Sequence, residues 1–477
     1  MKNRYVIARL IAHEWRLWKR DASMRWLGVT IALLGISALL LQADYCRKTA
    51  AGRNRAQQAS RQAWLHQDLK HPHIAAHFGN YAYRQPSSFQ VFDPGVTAYT
   101  GTSVYMEPHR QNDFLLSKME ETDTGARFGW FTPALVCQLI IPLMIVLMTF
   151  NQVSGEKAKG TYSLLLAQGV STRQLLFGKA LAVFIAFFVF ITLYCILAAL
   201  VSAIAEPGAS PSLVPWIYLW LVYSAYYAAW SLAGIAVSAV SADGTNAISI
   251  LLLAWIGMNV IVPKLAASVA EDLYPLSTNY AFKKQVAEGI DRGLDGHDSR
   301  SQRARWIEDS ILKAHHTDSV QHLPFNFEGY IMQRAEEYSS MVYDQNFGKI
   351  FTTLSRQQNL QSWASLLSPY LAVRNISMAA CDADMRAAIR FQQQAEQYRR
   401  SFVQQLNSDM MNHSRYGDWE NYAVKAGVYE SVKPFVAAPN TFGWKLQNII
   451  RENIFLALWL LALILYILEI GKRNIPV

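Results

Sequence analysis

The sequence predicts an all-α polytopic membrane protein with six spanning helices, and three observations predict it. Of its 477 residues, 52% are hydrophobic and only 17% charged, whereas a soluble domain carries about a quarter charged residues. The apolar residues are gathered into long blocks, each near the ~20 residues a helix needs to cross a ~30 Å hydrocarbon layer while satisfying its own backbone. No internal repeat or low-complexity tract interrupts them, which excludes solenoid, collagen-like and disordered architectures.

Taken in order, residues 1–23 come first. YVIARLIAHEWRLWKR puts Ile7, Leu10, Ile11, Trp15 and Trp18 on one helical stripe, with Arg9, Arg16, Lys19 and Arg20 mostly off it. That is the pattern of an amphipathic helix lying in the lipid headgroup layer. It is either a simple anchor or a lever acting on the first span, and the sequence leaves both open. The first span covers 24–44, MRWLGVTIALLGISALLLQAD. It reads as a retained helix, not a secretory signal: a long basic segment precedes it, and ADYC lacks the apolar residue a lipoprotein signal places three before its cysteine. An outer insertion, 45–130, leads to the second span, 131–151, and a short loop, 152–174. The third span, 175–205, and the fourth, 213–240, form a hairpin around Glu206–Ser212, EPGASPS. The fifth is 247–266.

A second outer region, 267–448, is long enough for a domain of its own. Apolar residues recur at every third or fourth place after Gly329, and again through MRAAIRFQQQAEQYRRSFVQQLNSDMM with Ile389, Phe402 and Leu406. The region is therefore expected to be mainly helical. Its acidic and basic residues nearly balance, without a basic stripe, which speaks against nucleic acid as a partner. The sixth span, 449–470, and a tail, 471–477, close the chain. Lys2, Arg4, Arg9, Arg16, Lys19, Arg20 and Arg25, then Lys157, Lys159, Arg173 and Lys179, then Lys472 and Arg473, all fall on one side of a six-span chain. The positive-inside tendency makes that side cytoplasmic, with both termini on it.

Catalytic patterns are missing. GEKAKGT at Gly155–Thr161 has Thr where a phosphate-binding Lys should follow the second Gly, and no HExxH, GxSxG or CxxC occurs. Charged residues within the spans are scarce, so no proton relay is expected. Lys264 and Glu469 lie at span ends, where they can snorkel. Cys137 and Cys195 fall inside spans. Cys46 and Cys381 fall on the outer side, where one disulfide and two structural thiols are both open readings. No metal site is assigned, and the candidates are His71, His73, His77 and His109, with His66 and Met106 nearby. Imidazole and thioether suit copper or zinc. On a regular helix, however, rings two residues apart point away from each other, and the histidines could equally order a loop.

The informative segment is NQVSGEKAKGTYSLLLAQGVSTRQLLFGKAL, residues 151–181. It sets Glu156 before Gly160-Thr161, then Leu164 and Leu165, a break at Gly169, Ser171 before Arg173, and Lys179 at the start of a spanning helix. A membrane protein driven by a separate ATPase needs a short, stiff amphipathic element that fits that ATPase and a rigid path into the bilayer. This segment resembles the cytoplasmic loop of ABC type-2 permeases, the six-span subunits of type V ABC transporters. It departs from that family's pattern in the Lys157-Ala158-Lys159 spacer and in Ala167-Gln168-Gly169-Val170, where a proline is frequent.

The resemblance implies a coupling helix, with Glu156, Gly160, Thr161, Leu164, Leu165, Ser171, Arg173 and Lys179 as its ATPase-coupling residues. It also implies a separate ATP-binding subunit that holds ATP and Mg, no cofactor in this chain, and a second permease, identical or related. The chain would itself be no enzyme, would contact membrane lipid and would usually work in export. HPHIAAHFGNYAYR, FDPGVTAYTG, EPHRQND and SLLSPYLAVRNISMAACDAD resemble a bacterial inner-membrane subfamily with large periplasmic insertions. Its members are described as permease components linked to multicopper enzyme maturation, a label that conveys no substrate. Two other readings are a transmitter of force to a periplasmic partner and a scaffold without an ATPase. Only the scaffold would have no need of the loop.

Overall fold

Helices dominate the computed structural model, which describes residues 2–78, 80–85, 87–115, 131–205 and 212–472. Among these residues six helices are long and apolar enough to cross a membrane. They are Ala22–Leu65, Pro133–Ala158, Thr172–Ala205, Val214–Val240, Gly244–Leu273 and Ile450–Ile470, called spans 1 to 6 below. The chain is thus an all-α multi-pass membrane protein. Positions 206–211 of the expected hairpin turn, and the tail from Arg473 onward, lie outside the described residues. The alternating direction of the spans gathers the N-terminal helix Lys2–Arg20, the loop after span 2 and the end of span 6 at one end of the bundle, the loop end. Both large outer regions lie at the other, the domain end.

Span 1 is longer than its apolar block. Its 44 residues rise about 66 Å at 1.5 Å each, roughly twice a hydrocarbon core. After Ala43 the sequence turns polar but keeps good helix formers, Ala, Arg, Gln and Lys, so the helix continues as a stalk. The stalk is clamped at its tip. Trp64 Nε1 donates to the Tyr429 carbonyl at 3.0 Å and Arg61 Nη1 to that of Val432 at 2.6 Å.

Among its described residues the first outer region holds three short strands that periodicity did not suggest: β1 (Asn80–Tyr83), β2 (Ser103–Glu107) and β3 (Arg110–Leu115). They pair antiparallel in the order β1-β2-β3, with Tyr81 opposite Tyr105 and Glu107 opposite Arg110. This sheet does not stand alone. Ala82, Val104 and Met106 share a core with Trp64 of the stalk and with Phe391, Phe402 and Leu406 of the helix Met385–His413, so the two outer regions are packed together.

A second core joins the outer region to the spans. The helix Pro369–Ala380 begins at Ser368, whose hydroxyl accepts from Leu371 N at 3.2 Å. It buries Ala372, Val373, Ile376 and Ala379 among Cys137, Ile141, Tyr223 and Leu456 of spans 2, 4 and 6. Tyr223 donates to Ser377 Oγ at 3.1 Å, and Ser377 donates in turn to the buried Asp93. Burial pushes the Asp93 carboxyl above the usual carboxylate range.

Spans 2 and 5 are each interrupted at this level by one π turn, Val136–Ile140 and Gly257–Ile261. Each turn is followed closely by a proline, Pro142 or Pro263, which cannot donate to the preceding turn and clashes with it. The displaced carbonyls find other donors. Tyr226 gives its hydroxyl to Gln138 O at 3.0 Å, Tyr227 to Cys137 O at 3.1 Å, and Ser368 to Met258 O at 2.6 Å. All four cysteines are buried, and Cys381 is a free thiol.

Candidate functional site

At the loop end the apolar part of span 2 gives way to two short helices, Ser154–Ala158, which closes the span, and Thr161–Ala167, before span 3 begins at Thr172. Ser238 of span 4 pins the start of this loop. Its hydroxyl accepts from Val153 N and Ser154 N at 3.0 and 3.2 Å and donates to Phe150 O at 2.7 Å. Lys157 Nζ donates to Ala239 O at 2.7 Å, a cation at the carbonyl end of span 4 where the helix dipole favours it.

The second helix is bounded at both ends by glycines in the left-handed region, Gly160 at φ 72° and Gly169 at φ 86°. Its C-terminus is a Schellman motif: Gly169 N donates to Leu166 O at 2.9 Å and Val170 N to Leu165 O at 3.2 Å. Ser171 then opens span 3 with a reciprocal capping box, Ser171 N to Gln174 Oε1 at 2.9 Å and Gln174 N to Ser171 Oγ at 3.3 Å. Thr161 donates to Glu156 O at 3.2 Å. Local hydrogen bonds therefore fix both helices and their exit into span 3, without a flexible stretch between.

What the loop shows outward differs from what it buries. Tyr162 is fully buried, with Leu165, Leu166 and Val170 packed around the same core, which includes Leu10, Leu175, Ile235 and Ile467. Leu164 points away and is 58% exposed, on a crest with Lys159, Gly160, Thr161, Gln168 and Gly169. Arg173 is exposed beside the end of span 6, where a Cβ on Gly471 would collide with its Cγ.

Glu156 and Lys179, two of the residues read as ATPase-coupling, are turned inward. Lys179 is only 2% exposed and holds Glu14 Oε1 at 2.6 Å, Glu156 Oε1 at 2.8 Å and Gln152 Oε1 at 3.4 Å. One buried ammonium thus ties together the N-terminal helix, the loop and span 3. Sequence reasoning missed Glu14, although it sits on the apolar stripe three and four residues after Ile11 and Leu10. A carboxylate in that place has to find a buried cation.

The N-terminal helix is accordingly docked on span 3. Trp15 Nε1 donates to Ala182 O at 3.2 Å, and a Cβ on Gly178 would lie 2.9 Å from Leu10 Cδ1. Gly178→Val is therefore expected to destabilise this contact by about 1–3 kcal/mol, as overpacking does. Limited proteolysis should then cut within Lys2–Arg20 sooner than in the parent chain.

The candidate histidines lie at the far end, in the outer domain. His73 and His77 share one face of the short helix Pro72–His77, and His109, at φ 66°, occupies the turn between β2 and β3. The ligand atoms of these three all lie within 4.8 Å of one another. His71 does not join them and stacks on Trp419 with ring centroids 3.9 Å apart. Burial holds His73 down to about 4 and lowers His77, with neighbouring imidazoles adding to both. Burial alone would raise Glu336, but the hydrogen bond from His109, its charge and that of Arg399 keep it below the usual carboxylate range.

Residues 106–273, which contain the loop and spans 2 to 5, match the family described as ABC-2 family transporter protein. Residues 279–438 of the outer region match a domain of unknown function, DUF3526. The chain therefore carries an ABC-2 transporter permease domain followed by a second, distinct domain. No curated protein matches the chain.

Proposed function

We propose that this chain is the membrane-spanning permease subunit of an ATP-driven ABC transporter, powered by a separate ATP-binding subunit that seats on the crest 159–169. The observation that carries the reading is the crest itself. It is a short helix bounded by two left-handed glycines and closed by a Schellman motif, which offers an exposed Leu164 and leads directly into span 3 within the region matching the transporter family. ATP and Mg belong in the partner. Two permease chains, identical or related, would form the membrane unit. The loop end would face the cytoplasm of a bacterial cell, with both termini there and the DUF3526 region outside its inner membrane.

Closure of the ATP-binding subunits would push the crest. The load would pass through Tyr162 and Lys179 into span 3 and the docked N-terminal helix, and the π turns of spans 2 and 5 would bend beneath Pro369–Ala380. Export is the direction this reading favours. Because Pro369–Ala380 is buried in the same core as spans 2, 4 and 6, a second reading has support: motion of the spans drives a partner of the outer domain without passage of a substrate.

A pull-down of the tagged chain in mild detergent, with mass spectrometry of what copurifies, tests both. An ATP-binding subunit recovered in a two-to-two ratio with permease is the expected result, and a periplasmic protein besides it would favour force transmission. The chain recovered alone in several detergents would overturn the permease reading.

A further inference from the structure

We infer that His73, His77 and His109 form a site for one divalent transition-metal ion of the zinc and copper class in the outer domain, independent of the transporter reading. His73 Nε2 lies 3.2 Å from His77 Nε2 and 3.4 Å from His109 Nε2. A tetrahedral ion with metal–nitrogen bonds of about 2.0–2.1 Å sets its ligand nitrogens roughly 3.3 Å apart, so both separations already suit a bound ion. Proton counting points the same way. The Nε2 of a neutral imidazole carries either one proton or one lone pair, so His73 can make one well-directed hydrogen bond, and its two neighbours are in conflict over it. A cation that takes a lone pair from each ring removes the conflict.

The surroundings hold the rings in this pose. His73 and His77 are four residues apart, the spacing that brings side chains together on a helix. His109 donates its backbone N–H to Glu336 Oε1 at 2.7 Å, and its Nδ1 meets the same carboxylate, which turns Nε2 toward the other two rings. Glu336 is buried and is fixed from behind by Arg399 at 3.3 Å. A carboxylate that orients a ligating imidazole through its second nitrogen is the common support of a histidine metal site. Three neutral imidazoles suit zinc, copper, nickel or cobalt and not calcium or magnesium. His73 and His109 line a cavity of about 1080 Å³, so an ion can reach the site and a fourth position stays open to water or to a donor from a partner.

Titration of the purified full-length chain, stripped with chelator, with Zn(II) alone and with Co(II) alone tests this, read by calorimetry and by cobalt absorbance. One equivalent per chain is expected, at least tenfold weaker in His77→Ala and His77→Gln and unchanged in His66→Ala. Because His77 is exposed, the variants should elute as the parent does in size exclusion. Glu336→Gln should bind about 10–100-fold more weakly. No stoichiometric binding of either ion, or binding that both His77 variants retain, would overturn the site.

Discussion

Replacing Lys179 with alanine is expected to cost about 3–5 kcal/mol of stability, because it leaves two carboxylates in the interior without their cation. Glu14 and Lys179 are 4% and 2% exposed at their side chains, and Glu156 is 21% exposed. Water therefore reaches Glu156 in part and the other two hardly at all. The loss should appear as an earlier thermal midpoint and a broadened size-exclusion peak in detergent. A combined Lys179→Met, Glu14→Leu and Glu156→Gln variant separates charge burial from coupling. It removes every unpaired charge, and apolar replacement of a buried ion group is often neutral or stabilising. It should fold near the parent's stability yet leave the N-terminal helix tied to span 3 only through Leu10, Trp15 and their neighbours. If this variant is as unstable as Lys179→Ala, the loss comes from removing the ties themselves and not from the two unpaired carboxylates.

The six spans were legible because lipid forces each backbone to satisfy itself, and the only cheap solution is a long apolar helix. Where a helix ends was less legible. Hydropathy marks where span 1 leaves the apolar layer, but helix formation ignores that boundary, and Ala, Arg and Gln carried it on to Leu65. The strands β1 to β3 have four to six residues each, too few for alternation to stand out, and they owe their stability to Met385–His413, hundreds of residues away. The same distance hid the histidine cluster. The pairing of His73 with His77 can be read from their spacing, but His109 arrives only through the β2–β3 turn and Glu336 from a third element. In the loop, glycine and capping signals marked its helices, whereas the inward turn of Glu156 and Lys179 depended on Glu14. That partner was hidden in a stripe read for its apolar residues.

Leu164→Asp should give the largest functional effect, because it changes the crest and nothing beneath it. The side chain is 58% exposed, so stability should move by no more than about 0.5 kcal/mol, the usual range for surface positions. At an interface the outcome differs. A leucine seated in a partner's groove and replaced by a carboxylate loses its apolar contact and buries a charge, and central interface residues of this kind cost about 2–4 kcal/mol. At about 1.4 kcal/mol per tenfold that is roughly 30-fold to 1000-fold in affinity. The ATP-binding subunit should accordingly drop out of the pull-down while the permease elutes as before. Leu165 and Glu156 are poorer probes, since one packs on the core that holds Tyr162 and the other pairs with Lys179, and their loss would disturb the loop itself. Retention of the ATP-binding subunit at parent levels in Leu164→Asp would mean that the exposed crest is not where the partner docks. Loss of the partner only in Lys179→Ala would mean that docking depends on the buried triad holding the loop in place, with Leu164 left to solvent.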